Sequence, residues 1–203
     1  MYLSNVSALK RLDKRFLLRP PTKLEDMILF EPSATVSREF CDHLVSSHML
    51  GHEGFHGKDH WLRVLHNARE IATETGANLR VLELFAVLHD SQRQNENHDP
   101  EHGHRAAAYA AELRGTWFDL AEDEMELLVE ACRYHSDGIV NAHPTIQACW
   151  DSDRLDLGRV GVRPDPRCLC TRFAKSPEVI EAAYRRSILA RQTEIGDFSR
   201  KVG

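Results

Sequence analysis

Leu84-Phe85-Ala86-Val87-Leu88-His89-Asp90 is an apolar run that ends in two adjacent side chains able to bind a cation. One offers imidazole nitrogen and the other carboxylate oxygen. The run closes Leu79 to Leu88, the most uniformly apolar segment of the chain, which is expected as its most buried helix. Core-type residues leading straight into two ligand-type groups make this junction the first candidate for a functional site. A His-Asp pair at a helix end is also ordinary capping material, so the rest of the chain has to decide.

On the N-terminal side, Trp61, Val64, Leu65, Ala68, Ile71 and Ala72 recur at helical spacing until Gly76. Val36, Phe40, Leu44 and Val45 do the same between Val36 and Met49, with Ser37 available as a cap. On the C-terminal side, the polar stretch from Ser91 to Pro100 is expected outside the core, and alanine-rich 101–114 reads as helix. Further helices are expected over about Asp123 to Tyr134, Thr145 to Leu155 and Pro177 to Leu189, with a Gly/Pro loop from Gly158 to Pro166. Period-two alternation bounded by turn residues is absent, so the fold class is all-α. The expected layout is an irregular N-terminal arm over 1–35, broken by Pro20-Pro21 and Pro32, a helical bundle over 36–160, and an extension over 161–203 that packs on the bundle and ends in a helix.

At 203 residues the chain suits one domain with appendages. A net charge of -5 gives no electrostatic footprint for a nucleic acid duplex, although a nucleotide substrate stays open. No window approaches the ~20 apolar residues of a membrane span, and Met1 to Pro20 lacks a secretory signal's apolar core and cleavage site. Five cysteines without repeated spacing fit a reducing compartment, so the expected location is the cytoplasm. Cys168-Leu169-Cys170 has no partner pair for a zinc ribbon. The unusual feature is 12 histidines, most of them between His43 and His143.

Placed on this map, His60 opens the Trp61 helix, His89-Asp90 closes the next, and Asp153 lies near the end of the helix that begins near Thr145. Groups so far apart meet only if antiparallel helices bring their ends to one side of a bundle. His60-Trp61-Leu62-Arg63-Val64, Leu88-His89-Asp90 and Asp151-Ser152-Asp153-Arg154-Leu155-Asp156 together resemble the H…HD…D signature of the HD-domain metal-dependent phosphohydrolases. The likeness covers about His56 to Val160.

That resemblance implies an HD-domain helical bundle in which His60, His89, Asp90 and Asp153 bind one divalent cation such as iron, manganese, cobalt, nickel or zinc. Asp151 would orient a ligand or a helix end. His102 and His135 resemble the additional histidines of two-metal members, with Asp90 then bridging two ions. A shell of two imidazoles and two carboxylates leaves coordination positions for water and a phosphate oxygen, which suits hydrolysis of a small phosphorylated substrate, nucleotides foremost. Lys58 and Arg93 are the nearest cations in sequence for charge balance, and Glu96 or Asp99 could position the water or protonate the leaving group. For these four the bland alternative is a solvated loop. His43, His48, His66 and His143 are assigned to surface or packing.

Two other readings belong to different classes: an HD-type two-iron oxygenase, which needs His102 and His135 as ligands, and a noncatalytic metal-binding regulatory module. No Gly-Tyr-Pro follows His89-Asp90 or Asp137-Gly138, which argues against the cyclic dinucleotide phosphodiesterase relatives. His52-Glu53-Gly54-Phe55-His56 satisfies the zinc-protease pattern, but that motif works only on a helix. Glycines at 51, 54 and 57 each cost about 1 kcal/mol there, so His56 is expected instead to border the entrance of the site. The arm and the segment after Gly161 are left for a pocket wall or a homodimer interface.

Overall fold

A computed structural model describes residues 30–50 and 54–201, with side chains to residue 189. Most of the expected arm lies outside the described residues. The described residues form seven α-helices: α1 (Arg38–Ser47), α2 (Lys58–Thr75), α3 (Leu79–Leu88), α4 (His102–Leu113), α5 (Glu122–Tyr134), α6 (Pro144–Arg154) and α7 (Pro177–Lys201). Short 3-10 turns at Leu157–Val160 and Pro166–Cys168 punctuate the expected Gly/Pro loop. No strand occurs among the described residues, and no helix searched is long and apolar enough to cross a membrane.

Local chemistry sets most boundaries. Ser37 Oγ accepts the Phe40 N–H at 3.1 Å and starts α1, Asn78 Oδ1 accepts from Arg80 and Val81 and starts α3, and Glu124 reaches back to the Ala121 N–H to start α5. Gly76 ends α2 in the left-handed region at φ 72°.

Helix α3 is the hub: every residue from Val81 to Leu88 is buried, and it packs on α2, α5 and α6. A helix this apolar can be stable only in such a position, and its buried Glu83 is matched by Arg69 at 2.8 Å and Ser33 at 2.7 Å. Trp61, Leu128 and Trp150 share one core with its own Phe85 and Leu88, each contributing on the order of 1.5–3 kcal/mol by leaving water. Trp150 carries its indole N–H inside because it donates to the Ala131 carbonyl at 3.0 Å.

Two expectations about the loops change. The stretch after Asp90 is not wholly outside the core: Gln94, Asn95, Asn97, His98 and Pro100 are exposed as expected, but Ser91, Arg93 and Asp99 are buried. The segment folds inward because its polar groups find partners there, with Ser91 Oγ donating to the Leu88 carbonyl and Asp99 accepting from Arg105 and the Gln94 N–H. At the C-terminal end, α7 runs to Lys201 rather than stopping at Leu189.

Candidate metal centre

The starts of α2 and α4 and the ends of α3, α5 and α6 bring six side chains together: His60, His89, Asp90, Asp153, His102 and His135. His60 Nε2 lies 3.1 Å from His89 Nε2, 3.5 Å from Asp90 Oδ2 and 3.4 Å from Asp153 Oδ1. His89 Nε2 lies 3.5 Å from Asp90 Oδ2 and 3.7 Å from Asp153 Oδ1. The second oxygen of Asp90 faces the other two histidines, with Oδ1 at 3.4 Å from His102 Nε2 and 3.6 Å from His135 Nε2. Those two nitrogens are 2.9 Å apart.

All four imidazoles are anchored in the same way. Nδ1 of His60 faces Asp156 Oδ2 at 2.7 Å, Nδ1 of His89 the Phe85 carbonyl at 3.2 Å, and Nδ1 of His135 the Cys132 carbonyl at 2.7 Å. His102 Nδ1 pairs with the Asp99 carbonyl. These acceptors take the Nδ1 proton and leave each Nε2 as a lone pair aimed at the centre of the cluster. Gly103 makes the second group possible: a Cβ there would sit 2.7 Å from the Cys132 and Arg133 carbonyl oxygens, so only glycine lets α4 lie close enough to α5 for His102 to meet His135.

The donor set fits a cation. Two imidazole lone pairs facing each other at 3.1 Å are repulsive unless a positive centre lies between them. Ligands held about 2.0–2.2 Å from one metal ion are themselves about 3–3.5 Å apart, close to the 3.1–3.7 Å among His60, His89, Asp90 and Asp153. Asp153 Oδ1 is buried with no hydrogen-bond partner, an orphan that a cation would satisfy. The groups also polarise one another. Burial alone would raise the carboxyl of Asp90, yet His89, His135 and His60 around it hold it well below the usual range. The same contest holds Asp153 low, with burial outweighed by His89, Arg159 and His60. Burial, with His135 alongside, pushes His102 down to about 4, which keeps it neutral at physiological pH.

The four residues considered for chemistry fall in different places. Arg93 is inside, its Nη1 3.4 Å from Asp90 Oδ1 and 3.2 Å from His102 Nε2. Glu96 is at the rim, where its Oε2 faces His56 Nδ1 at 2.6 Å. His56 is buried one turn before His60, and its ring stands edge-on to that of His60. The turn that carries His56 is not helical, since α2 begins only at Lys58, so the protease pattern lacks its helix over the described part; His52 and Glu53 lie outside the described residues. Asp99 is saturated by Arg105 and the Gln94 N–H, and Lys58 turns outward to Asp42 at 3.7 Å. Asp151 accepts the N–H groups of Cys170 and Thr171, both at 2.7 Å, and so fixes a loop rather than a ligand.

The residues that brace the clustered side chains carry no separate signal of their own in the sequence. Asp156, buried, takes His60 on one oxygen and Arg63 Nε at 2.8 Å on the other. Arg159, three residues on, sits 3.7 Å from Asp153 Oδ1 and donates to the Phe55 carbonyl. Both lie in or just after the aspartate motif, one turn apart, and that placement is all that marks them.

The model of the HD domain family matches residues 57–176, more than half of the chain. The protein belongs to the HD domain family. The match spans α2 to the residue before α7 and includes all six clustered residues. A solved structure described as a predicted HD superfamily hydrolase from an uncultured Thermotogales bacterium has the same fold, with 24% identity, a TM-score of 0.58, and coverage of 86% of this chain and 96% of that one. No curated protein matches the chain.

Proposed function

We propose that this HD domain is a cytoplasmic metal-dependent phosphohydrolase that releases phosphate from a small phosphorylated molecule, with nucleotides as the preferred class. The observation that carries the reading is the combination of an open nitrogen–oxygen ligand set with buried guanidinium groups. His60, His89, Asp90 and Asp153 would hold a divalent first-row cation. When bound, that cation supplies an acidified water and neutralises phosphoryl charge. The carboxylates of Asp90 and Asp156, both buried, and of the half-buried Asp153 are already matched by Arg93, Arg63 and Arg159. A divalent cation therefore leaves the site net positive, which favours a phosphate dianion over a neutral substrate.

Arg93 and Arg159 flank the cluster and are suited to orient the phosphate oxygens. His56 keeps Nε2 without a hydrogen-bond partner among the described residues while Glu96 holds Nδ1. That pair is suited to carry a proton to the leaving-group oxygen. The five cysteines are all free, as a reducing compartment would keep them.

A two-ion form is the second reading, because His102 and His135 do converge on Asp90 Oδ1. It would suit either two-metal hydrolysis or oxygen chemistry with iron. The test is phosphate release from a panel of nucleotides and simple phosphate esters by protein loaded with manganese, iron, cobalt, nickel or zinc, beside Asp90→Ala. Metal-dependent release that Asp90→Ala abolishes supports the proposal. Undiminished activity and metal content in that variant overturn it, oxygen consumption with iron would favour the oxygenase, and metal binding without any turnover would leave a regulatory module.

A further inference from the structure

The family match ends at residue 176, yet the helix that follows is wired into the metal centre. Ser187, in the middle of α7, is buried and its Oγ donates to Asp156 Oδ1 at 2.7 Å. The Ala183 carbonyl is a competing acceptor at 3.0 Å, but a hydroxyl has one proton and the charged carboxylate is nearer. Asp156 in turn holds Nδ1 of His60 on its other oxygen. The preceding residue, Arg186, donates to Asn67 Oδ1 at 2.9 Å and Glu70 Oε2 at 3.1 Å on α2. Asn67 passes its amide to the Ser152 carbonyl, next to Asp153, at 2.9 Å. Two adjacent residues of α7 thus reach toward α2 and the end of α6, two of the five elements that carry the clustered side chains. The close approach depends on Gly158, where a Cβ would meet Ser187 Cβ at 2.7 Å and Tyr184 Cδ2 at 3.0 Å.

We propose that Ser187 is a positioning residue for the metal centre: through Asp156 it sets the ring orientation and tautomer of His60, so that the C-terminal helix completes a site the rest of the domain only outlines. The inference rests on the metal-binding reading above. Asp156 Oδ1 is shared between Arg63 and Ser187. Without the hydroxyl the carboxylate is free to turn toward the guanidinium, and its hold on His60 loosens. Partners of metal-ligating histidines tune affinity by about 10–100-fold, and a residue one bond further out is expected to have a smaller effect.

The test compares wild type, Ser187→Ala, Ser187→Cys and Gly158→Ala, with Leu44→Ala as a control that opens a cavity in the core at α1, a helix that carries none of the clustered side chains. Zinc affinity is read by competition with a chromophoric chelator, metal-free thermal stability by circular dichroism, and the His60 tautomer by nitrogen-15 NMR of metal-free protein. Ser187→Ala is expected to bind zinc about 3–10-fold more weakly at unchanged stoichiometry, with a smaller Nδ1–H population at His60. Ser187→Cys should fall between, and Gly158→Ala should weaken binding because it pushes α7 away. Leu44→Ala should lose stability and keep its zinc affinity. The proposal is overturned if Ser187→Ala matches wild type within two-fold, or if Leu44→Ala weakens zinc as much as Ser187→Ala does. Failure of the wild type itself to bind metal would instead overturn the underlying reading, and this inference with it.

Discussion

Arg93 Nη1 lies 3.2 Å from His102 Nε2 and 3.4 Å from Asp90 Oδ1, so a guanidinium stands against the atoms that a second cation would use. Burial of the arginine makes this contact durable, and its Nη2 also reaches the Asn97 carbonyl at 3.3 Å. Arg93 and a second metal ion are therefore competitors. Wild type is expected to hold one tightly bound metal per chain, and Arg93→Ala to take up a second on Asp90, His102 and His135, measured by elemental analysis after dialysis. Loss of a phosphate-orienting group should also lower kcat by about 10–1,000-fold. A second ion bound by wild type as tightly as by the variant would show that Arg93 yields to it.

Metal removal should be legible in stability. A ligand at ~1,000 times its Kd stabilises the folded state by about 4 kcal/mol, worth roughly 8–16 °C for a domain of this length. Wild type is expected to melt on that order higher with zinc or manganese than with a chelator. Asp153→Ala should show little shift, because it removes the carboxylate whose Oδ1 is buried without a partner. Differential scanning fluorimetry at fixed metal concentration checks both, and an equal shift in the variant would remove Asp153 from the ligand set.

Helix positions were legible from the sequence because α2, α3, α5 and α6 combine a strong apolar period with clear caps or stops, as at Asn78 and Gly76. The convergence of His60, His89, Asp90 and Asp153 was legible only through the family resemblance, since spacing alone says nothing of which helix ends meet. Polarity misled for the stretch after Asp90. Arg93 and Asp99 look solvated in one dimension but are buried once His102 and Arg105 supply partners. Ser187 gave no signal at all, because its partner Asp156 lies 31 residues away and nothing in the sequence registers α7 against the turn at Leu157–Val160.

The rim pair His56 and Glu96 separates proton transfer from metal binding. Glu96→Gln keeps the shape of the side chain but removes the charge that holds His56 Nδ1 at 2.6 Å. Activity is expected to fall by about 10–100-fold in kcat with metal content and KM near wild type. Glu53→Gln, on the protease-like pattern, is expected to change neither kcat nor metal content. Steady-state kinetics on one active phosphate ester, with metal analysis of the same samples, checks both. A loss of metal in Glu96→Gln would move Glu96 from proton transfer to support of the ligand cluster.

Asp99 is a brace with a pH signature of its own. Its oxygens accept Arg105 Nη2 at 2.7 and 2.6 Å and the Gln94 N–H at 2.8 Å, tying the loop after the His-Asp pair to α4. Burial would raise this carboxyl, but Arg105 and the Gln94 N–H lower it further than burial lifts it. A carboxyl whose folded value is depressed stabilises the fold fully above its unfolded pKa of about 3.9 and loses that contribution as pH falls through the lower folded value. Asp99→Asn should therefore cost about 1–3 kcal/mol at neutral pH, since it breaks charge-assisted bonds to a partly buried arginine. In metal-free protein, urea unfolding from pH 8 to pH 3 should show a constant gap between wild type and variant down to about pH 5, and a narrowing gap below about pH 4 as the wild-type carboxylate protonates. A gap that stays the same at pH 3 would assign the loss to the amide's altered hydrogen bonding with Gln94 rather than to the charge on Asp99.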